Sequence, residues 1–166
     1  MTRPNRRPLL HLLTVCLLAL AAARLIAQAP SFAGDYTGSP AKPGGPAAPT
    51  LHVVQTGSKI EITRTDRGKV STSRFILNGP EGTYTSPAGL PGKGQAKTQD
   101  KFLLIQSVVE NKPQPSSPSV QVRIRERWQL TPDRKSLKID FAVDFPNMAG
   151  APPQSWTEEF TRTARP

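Results

Sequence analysis

From residue 51 onward the apolar positions of this chain alternate with polar ones, and they do not recur at helical spacing. β-branched residues are frequent in the same stretches, which suits a pleated, half-buried surface. Segments 51–56 and 60–65 flank Gly57-Ser58, a hairpin signal. Asp66-Arg67-Gly68-Lys69 turns the chain into 70–77, and Asn78-Gly79-Pro80-Glu81-Gly82 turns it again before a short strand at 83–86. Strands at 95–98 and 102–110 follow, joined through Gln99-Asp100-Lys101.

The clearest pair is 120–130 with 137–145. Val120, Val122, Ile124, Trp128 and Leu130 share one face of the first, and Leu137, Ile139, Phe141, Val143 and Phe145 share one face of the second. Setting Leu130 opposite Leu137 brings Trp128 to Ile139, Ile124 to Val143 and Val122 to Phe145. The other face then sets Arg127 against Asp140 and Arg123 against Asp144, a match that a one-residue slip destroys. A last strand at 155–163 puts Trp156 and Phe160 on one face.

Eight or nine short antiparallel strands predict an all-β domain, an up-and-down barrel with a β-sandwich as the alternative. Sequential hairpins favour the barrel, whose closure removes exposed edges. In such a meander alternate connections lie at the same end. Those at 57–59, 78–82, 99–101 and 131–136 share one end and are short. Those at 66–69, 87–94, 111–119 and 146–154 share the other, and the last three are long and rich in Pro and Gly. This predicts one closed end and one open rim, the place where ligands of small barrels enter.

The amino terminus changes the arithmetic. Residues 1–29 read as an export signal: Arg3, Arg6 and Arg7 precede an apolar stretch from Leu9 to about Ala23, and Ala27-Gln28-Ala29 fits a cleavage pattern. The stretch is short of the roughly 20 apolar residues a spanning helix needs, so no transmembrane segment is expected after cleavage. Residues 30–50 read as a Pro/Gly/Ala-rich linker, with Asp35-Tyr36-Thr37 either a short first strand or part of the tail, and 51–166 as the β-domain. The full chain carries 22 Lys+Arg against 12 Asp+Glu, a formal charge of +10. Removing the signal takes four arginines and no acid, which leaves 18 against 12, or +6. It also removes Cys16, the single cysteine, and one of the two histidines. A disulfide framework and a Cys- or His-built metal centre are thereby excluded, and no cofactor is expected. The compartment implied is secreted or periplasmic.

The segment Glu126-Arg127-Trp128-Gln129-Leu130-Thr131-Pro132-Asp133-Arg134-Lys135-Ser136-Leu137 resembles a hairpin pattern of small lipocalin-like β-barrel proteins secreted by bacteria. The turn at 73–79, and Ala96-Lys97-Thr98 leading into Phe102-Leu103-Leu104-Ile105, are similar to theirs as well. The resemblance spans about residues 50–163 and implies a fold, with no catalytic residues to carry over. The chain departs from the pattern at Arg134, where the family has Gly.

Glu126 breaks the alternation: it falls on the apolar face, between Ile124 and Trp128. Glu158 likewise falls between Trp156 and Phe160, with Arg162 following, and Arg64 and Arg74 are candidates for inward-facing cations. A carboxylate inside a barrel needs a partner. One reading makes it a polar anchor for a small, partly apolar ligand, with Trp128, Phe141, Trp156 and Phe160 as walls. The other makes it an internal Glu–Arg pair. A glycosidase pair of carboxylates has no further support. His52 supports neither a triad nor a metal, and no nucleophile elbow or phosphate loop is present. Arg123, Arg125 and Arg127 form a basic stripe on the outer face. Without interleaved aromatic residues it does not suit nucleic acid, and a solvated face or attraction to an anionic envelope component remains. The expected function is binding of a small hydrophobic or amphipathic ligand without catalysis. The alternative is a structural or interaction protein that contacts an envelope partner through its basic face or Pro-rich loops.

Overall fold

The computed structural model describes residues 30–39, 46–112 and 118–163. The export signal expected at 1–29 lies outside them. Among the described residues the strands are β1 (Gly34–Gly38), β2 (Thr50–Thr56), β3 (Lys59–Asp66), β4 (Lys69–Ile76) and β5 (Gly82–Thr85), then β6 (Pro91–Gln99), β7 (Phe102–Asn111), β8 (Val120–Leu130), β9 (Ser136–Asp144) and β10 (Gln154–Arg162). Each pairs antiparallel with its neighbours in sequence, and β1 closes the ring against β10. The up-and-down barrel is therefore correct and the sandwich is not, but the strands number ten rather than eight or nine.

β1 is the added strand, and β6 is longer than expected. β1 lies inside the stretch read as linker, and Asp35-Tyr36-Thr37 form the short first strand rather than tail. Its sequence, Gly-Asp-Tyr-Thr-Gly, looks like tail, yet Tyr36 faces inward and is 1% exposed. β6 starts at Pro91 rather than at Gln95, because Pro91-Gly92-Lys93-Gly94 reads as a turn. Gly92 is there for space: a Cβ at that position would sit 2.2 Å from the Val108 carbonyl oxygen of β7. The expected loop at 87–94 thereby shrinks to 86–90.

The β8–β9 register is the expected one, from Leu130 opposite Leu137 to Arg123 opposite Asp144. It stops there because β9 ends at Asp144, so Val122 and Phe145 are not a ladder pair. The charges on the outer face differ in detail. Asp144 takes both Arg123 at 3.6 Å and Arg125 at 3.4 Å, whereas Asp140 takes Lys138 at 3.4 Å. Arg127 instead stands over the Phe102 ring, 3.8 Å from its centroid.

The hairpin between β8 and β9 places Arg134 in the left-handed region, with φ 57°. The Thr131 hydroxyl donates to the Asp133 carboxylate at 2.6 Å and the Lys135 N–H donates to it at 3.0 Å. These two bonds hold the Asp133 carboxyl below the usual carboxylate range. An L side chain at φ 57° is strained, so Arg134→Gly is expected to raise stability by about 1 kcal/mol. Urea unfolding of the two proteins checks this, and an unchanged or lower midpoint would contradict it.

Strand parity puts residues 39, 46–49, 67–68, 86–90, 112, 118–119 and 145–153 at one end and the hairpins at 57–58, 77–81, 100–101 and 131–135 at the other. Residues preceding β1 close the short-hairpin end. Phe32 is 1% exposed and meets Trp128 edge-on, with ring centroids 6.5 Å apart. The Tyr36 hydroxyl donates to the Phe32 carbonyl at 2.8 Å, and the Phe32 N–H donates to Gln55 Oε1 at 3.0 Å. Arg162 donates to the Tyr36 hydroxyl at 3.0 Å and to the Ala33 carbonyl. The plug is thus sewn to β1, β2 and β10 together.

Candidate functional site

Alternation along β8 aims Glu126 into the barrel, where it is 3% exposed. Three donors converge on it. The Tyr84 hydroxyl donates to Oε1 at 2.7 Å, the Trp128 indole N–H to Oε2 at 2.8 Å, and Arg64 Nη2 to Oε2 at 3.4 Å. A carboxylate accepts only, so three donors from β3, β5 and β8 match it. Of the two arginines considered as inward, Arg64 is inside and Arg74 is outside, where it pairs with Glu61 at 2.6 Å. The void left beside this cluster is ≈ 10 Å³, room for one water molecule.

Tyr84 was not singled out by the sequence, although alternation along the short strand 83–86 turns it inward. Burial pushes its phenol well above the ordinary tyrosine range, and the Glu126 carboxylate pushes it further the same way. Burial also raises Tyr36, against the lowering effect of Arg162. A raised folded-state value means that the contribution is complete below the unfolded tyrosine value, near pH 10, and is lost above it. Tyr84, raised well beyond that value, steepens the loss by up to about 1.4 kcal/mol per pH unit, and Tyr36 adds in the same direction. Urea midpoints taken between about pH 9.5 and pH 11 are expected to fall, and less steeply in Tyr84→Phe. Equal slopes in the two proteins would contradict this assignment.

Above Glu126, toward the long-loop end, lies a chamber of ≈ 210 Å³ whose lining includes Pro46, Pro49, Arg64, Asp66, Arg67 and Glu158. Arg64 lines both this chamber and the void below, so its side chain forms the partition between them. Its guanidinium carbon is 5.3 Å from the Phe141 ring centroid, and its Nε is buried without a hydrogen-bond partner. Trp156 stacks on Phe141 with ring centroids 4.8 Å apart and planes 9° apart, and its indole N–H donates to Glu158 at 3.1 Å.

The six residues singled out in the sequence therefore separate by depth. Trp156, 40% exposed, and Glu158 belong to the mouth, with Phe141 opposite Trp156 in the ladder and stacked on it. Glu126 lies in the middle. Trp128 and Phe160, 0% and 1% exposed, fill the closed half with Phe32 and Leu137. All six face inward as alternation implies, but periodicity carries no information on height along the barrel. His52 is outside, beside Asp35. Among the described residues no group of His, Cys, Asp and Glu is placed to hold a metal ion, and no helix is long and apolar enough to cross a membrane.

No family model and no curated protein matches this sequence. Solved structures do share its architecture. A protein named REP1-NXSQ fatty acid transporter is 13% identical, the match covering 81% of this chain and 97% of that one with a TM-score of 0.52. Fatty-acid-binding protein 1 of Echinococcus granulosus is 11% identical, with 80% and 98% covered and a TM-score of 0.54. The fold is that of the fatty-acid-binding barrels. At these identities the likeness describes the path of the backbone, and the side chains of the mouth belong to this chain alone.

Proposed function

We propose that this chain is an exported binding barrel that holds a small amphipathic carboxylate in its mouth, without catalysis. Arg64 carries the reading. It is buried, it lines the mouth chamber, and its Nε lacks a partner. Its bond to Glu126 is long, at 3.4 Å, so the guanidinium has charge and donors to offer a carboxylate in the chamber. Pro46, Ala47, Pro49 and Pro87 offer apolar surface to the rest of such a molecule, and Trp156 borders the chamber through its bond to Glu158. The structural neighbours are named for fatty acids, which supports an amphipathic carboxylate as the class. The chamber argues for a short one: ≈ 210 Å³ is below the usual ligand-pocket range, and the void beneath takes no acyl chain. Binding without chemistry fits Glu126, whose oxygens are occupied by donors behind Arg64. The sequence of residues 1–29 supports export to a secreted or periplasmic location.

Calorimetric titration with octanoate, 1-octanol and octylamine tests the class. Octanoate is expected to bind at least tenfold more tightly than the other two. Absence of heat for all three, or preference for the amine through Asp66 and Glu158, would overturn the proposal.

A further inference from the structure

On the outer wall, β6, β7 and β8 build a trough that the mouth site does not use. In register, Lys93, Val108 and Arg123 form one row across the three strands, Gln95, Gln106 and Arg125 the next, and Lys97, Leu104 and Arg127 the third. The cations therefore stand in two columns, on β6 and β8, while the β7 column between them holds Val108, Gln106 and Leu104 and no cation. The columns are roughly 10 Å apart, and cations along β8 recur every ~6.7 Å. A groove of ≈ 420 Å³ lies over the first two rows, lined by Lys93, Gln95, Gln106, Val108, Arg123 and Arg125, with Glu81 at its edge. Asp144, on the β9 side, touches Arg123 and Arg125, yet these side chains stay 51% and 55% exposed.

We infer that this trough binds a linear anionic polysaccharide lying along β7. Its geometry selects among polyanions. A bilayer needs apolar groups that project beyond the cations, and here Leu104 and Val108 lie on the floor beneath them. Single-stranded nucleic acid needs free aromatic faces, and Phe102 at the trough's end is covered by Arg127. An acidic glycan fits the trough away from Glu81: carboxylates or sulfates meet the two cation columns, hydroxyls meet Gln95 and Gln106, and sugar C–H faces rest on Leu104 and Val108.

The test uses polygalacturonate for carboxylates, heparin for sulfates and phosphatidylglycerol vesicles for a bilayer surface. The trough variant is Lys93→Gln, Lys97→Gln and Arg125→Gln; the control is Lys59→Gln, Lys69→Gln and Lys135→Gln, an equal loss of charge elsewhere. All six positions are exposed, and unfolding midpoints confirm that both proteins fold. The parent is expected to bind at least one of the two glycans, with affinity falling as salt rises. The trough variant is expected to lose at least tenfold and the control less than threefold. Equal losses in the two variants, vesicle binding without glycan binding, or no glycan binding by the parent would overturn the inference.

Discussion

Glu126→Ala is expected to lower stability by about 3–5 kcal/mol, seen as a large drop in the urea midpoint. The residue breaks the alternation of β8, so a hydrophobicity argument alone would call its removal harmless. The packing around it says otherwise. Arg64 is 7% exposed and pairs with this carboxylate, so alanine leaves a cation inside the barrel without its counter-charge. The Tyr84 hydroxyl and the Trp128 N–H lose their acceptor at the same time. Each orphaned donor costs about 1–3 kcal/mol, although the contributions overlap within one network. A paired replacement separates the penalty from the worth of the pair. Glu126→Leu combined with Arg64→Met removes both charges and is expected to recover most of the loss. A cost below about 1 kcal/mol for Glu126→Ala would mean that Arg64 finds water once its partner is gone, and that the interior is wetter than described.

The second large effect is at Phe32, four residues ahead of Tyr36 and outside any strand. Phe32→Ala is expected to cost about 3–5 kcal/mol, the range for a fully buried aromatic cut to a methyl. The ring packs edge-on against Trp128 at the short-hairpin end. Differential scanning calorimetry reads the loss, and acrylamide quenching of Trp128 is expected to rise as water reaches it. An unchanged melting temperature with Trp128 still shielded would show that the barrel closes without the plug.

The contrast between these two residues marks what was legible in the sequence. Glu126 announced itself, because a carboxylate flanked by Ile124 and Trp128 on an alternating strand has only a few physical outcomes. The β8–β9 register was equally legible, since both faces had to agree. Phe32 was not: a single aromatic in a Pro- and Ala-rich stretch has no periodicity, and its importance comes from the hole it fills. β1, open between strand and tail, and the start of β6 were obscured for a related reason. Their glycines resemble loop punctuation, yet at Gly92 the missing side chain lets two strands approach closely. The partition of the interior was invisible too. Trp128 and Trp156 obey the same alternation, and only the closed barrel places one at the floor and the other at the mouth.

Ligand is expected to sit above Arg64 and not beside Trp128. The two tryptophans are the only ones in the chain, one on each side of that partition. Titrating octanoate into Trp128→Phe, which reports Trp156 alone, and into Trp156→Phe, which reports Trp128 alone, tests the claim directly. A saturable emission change in the first protein and none in the second is the expected result. A change in the Trp128 signal, or a flat response from Trp156, would contradict it.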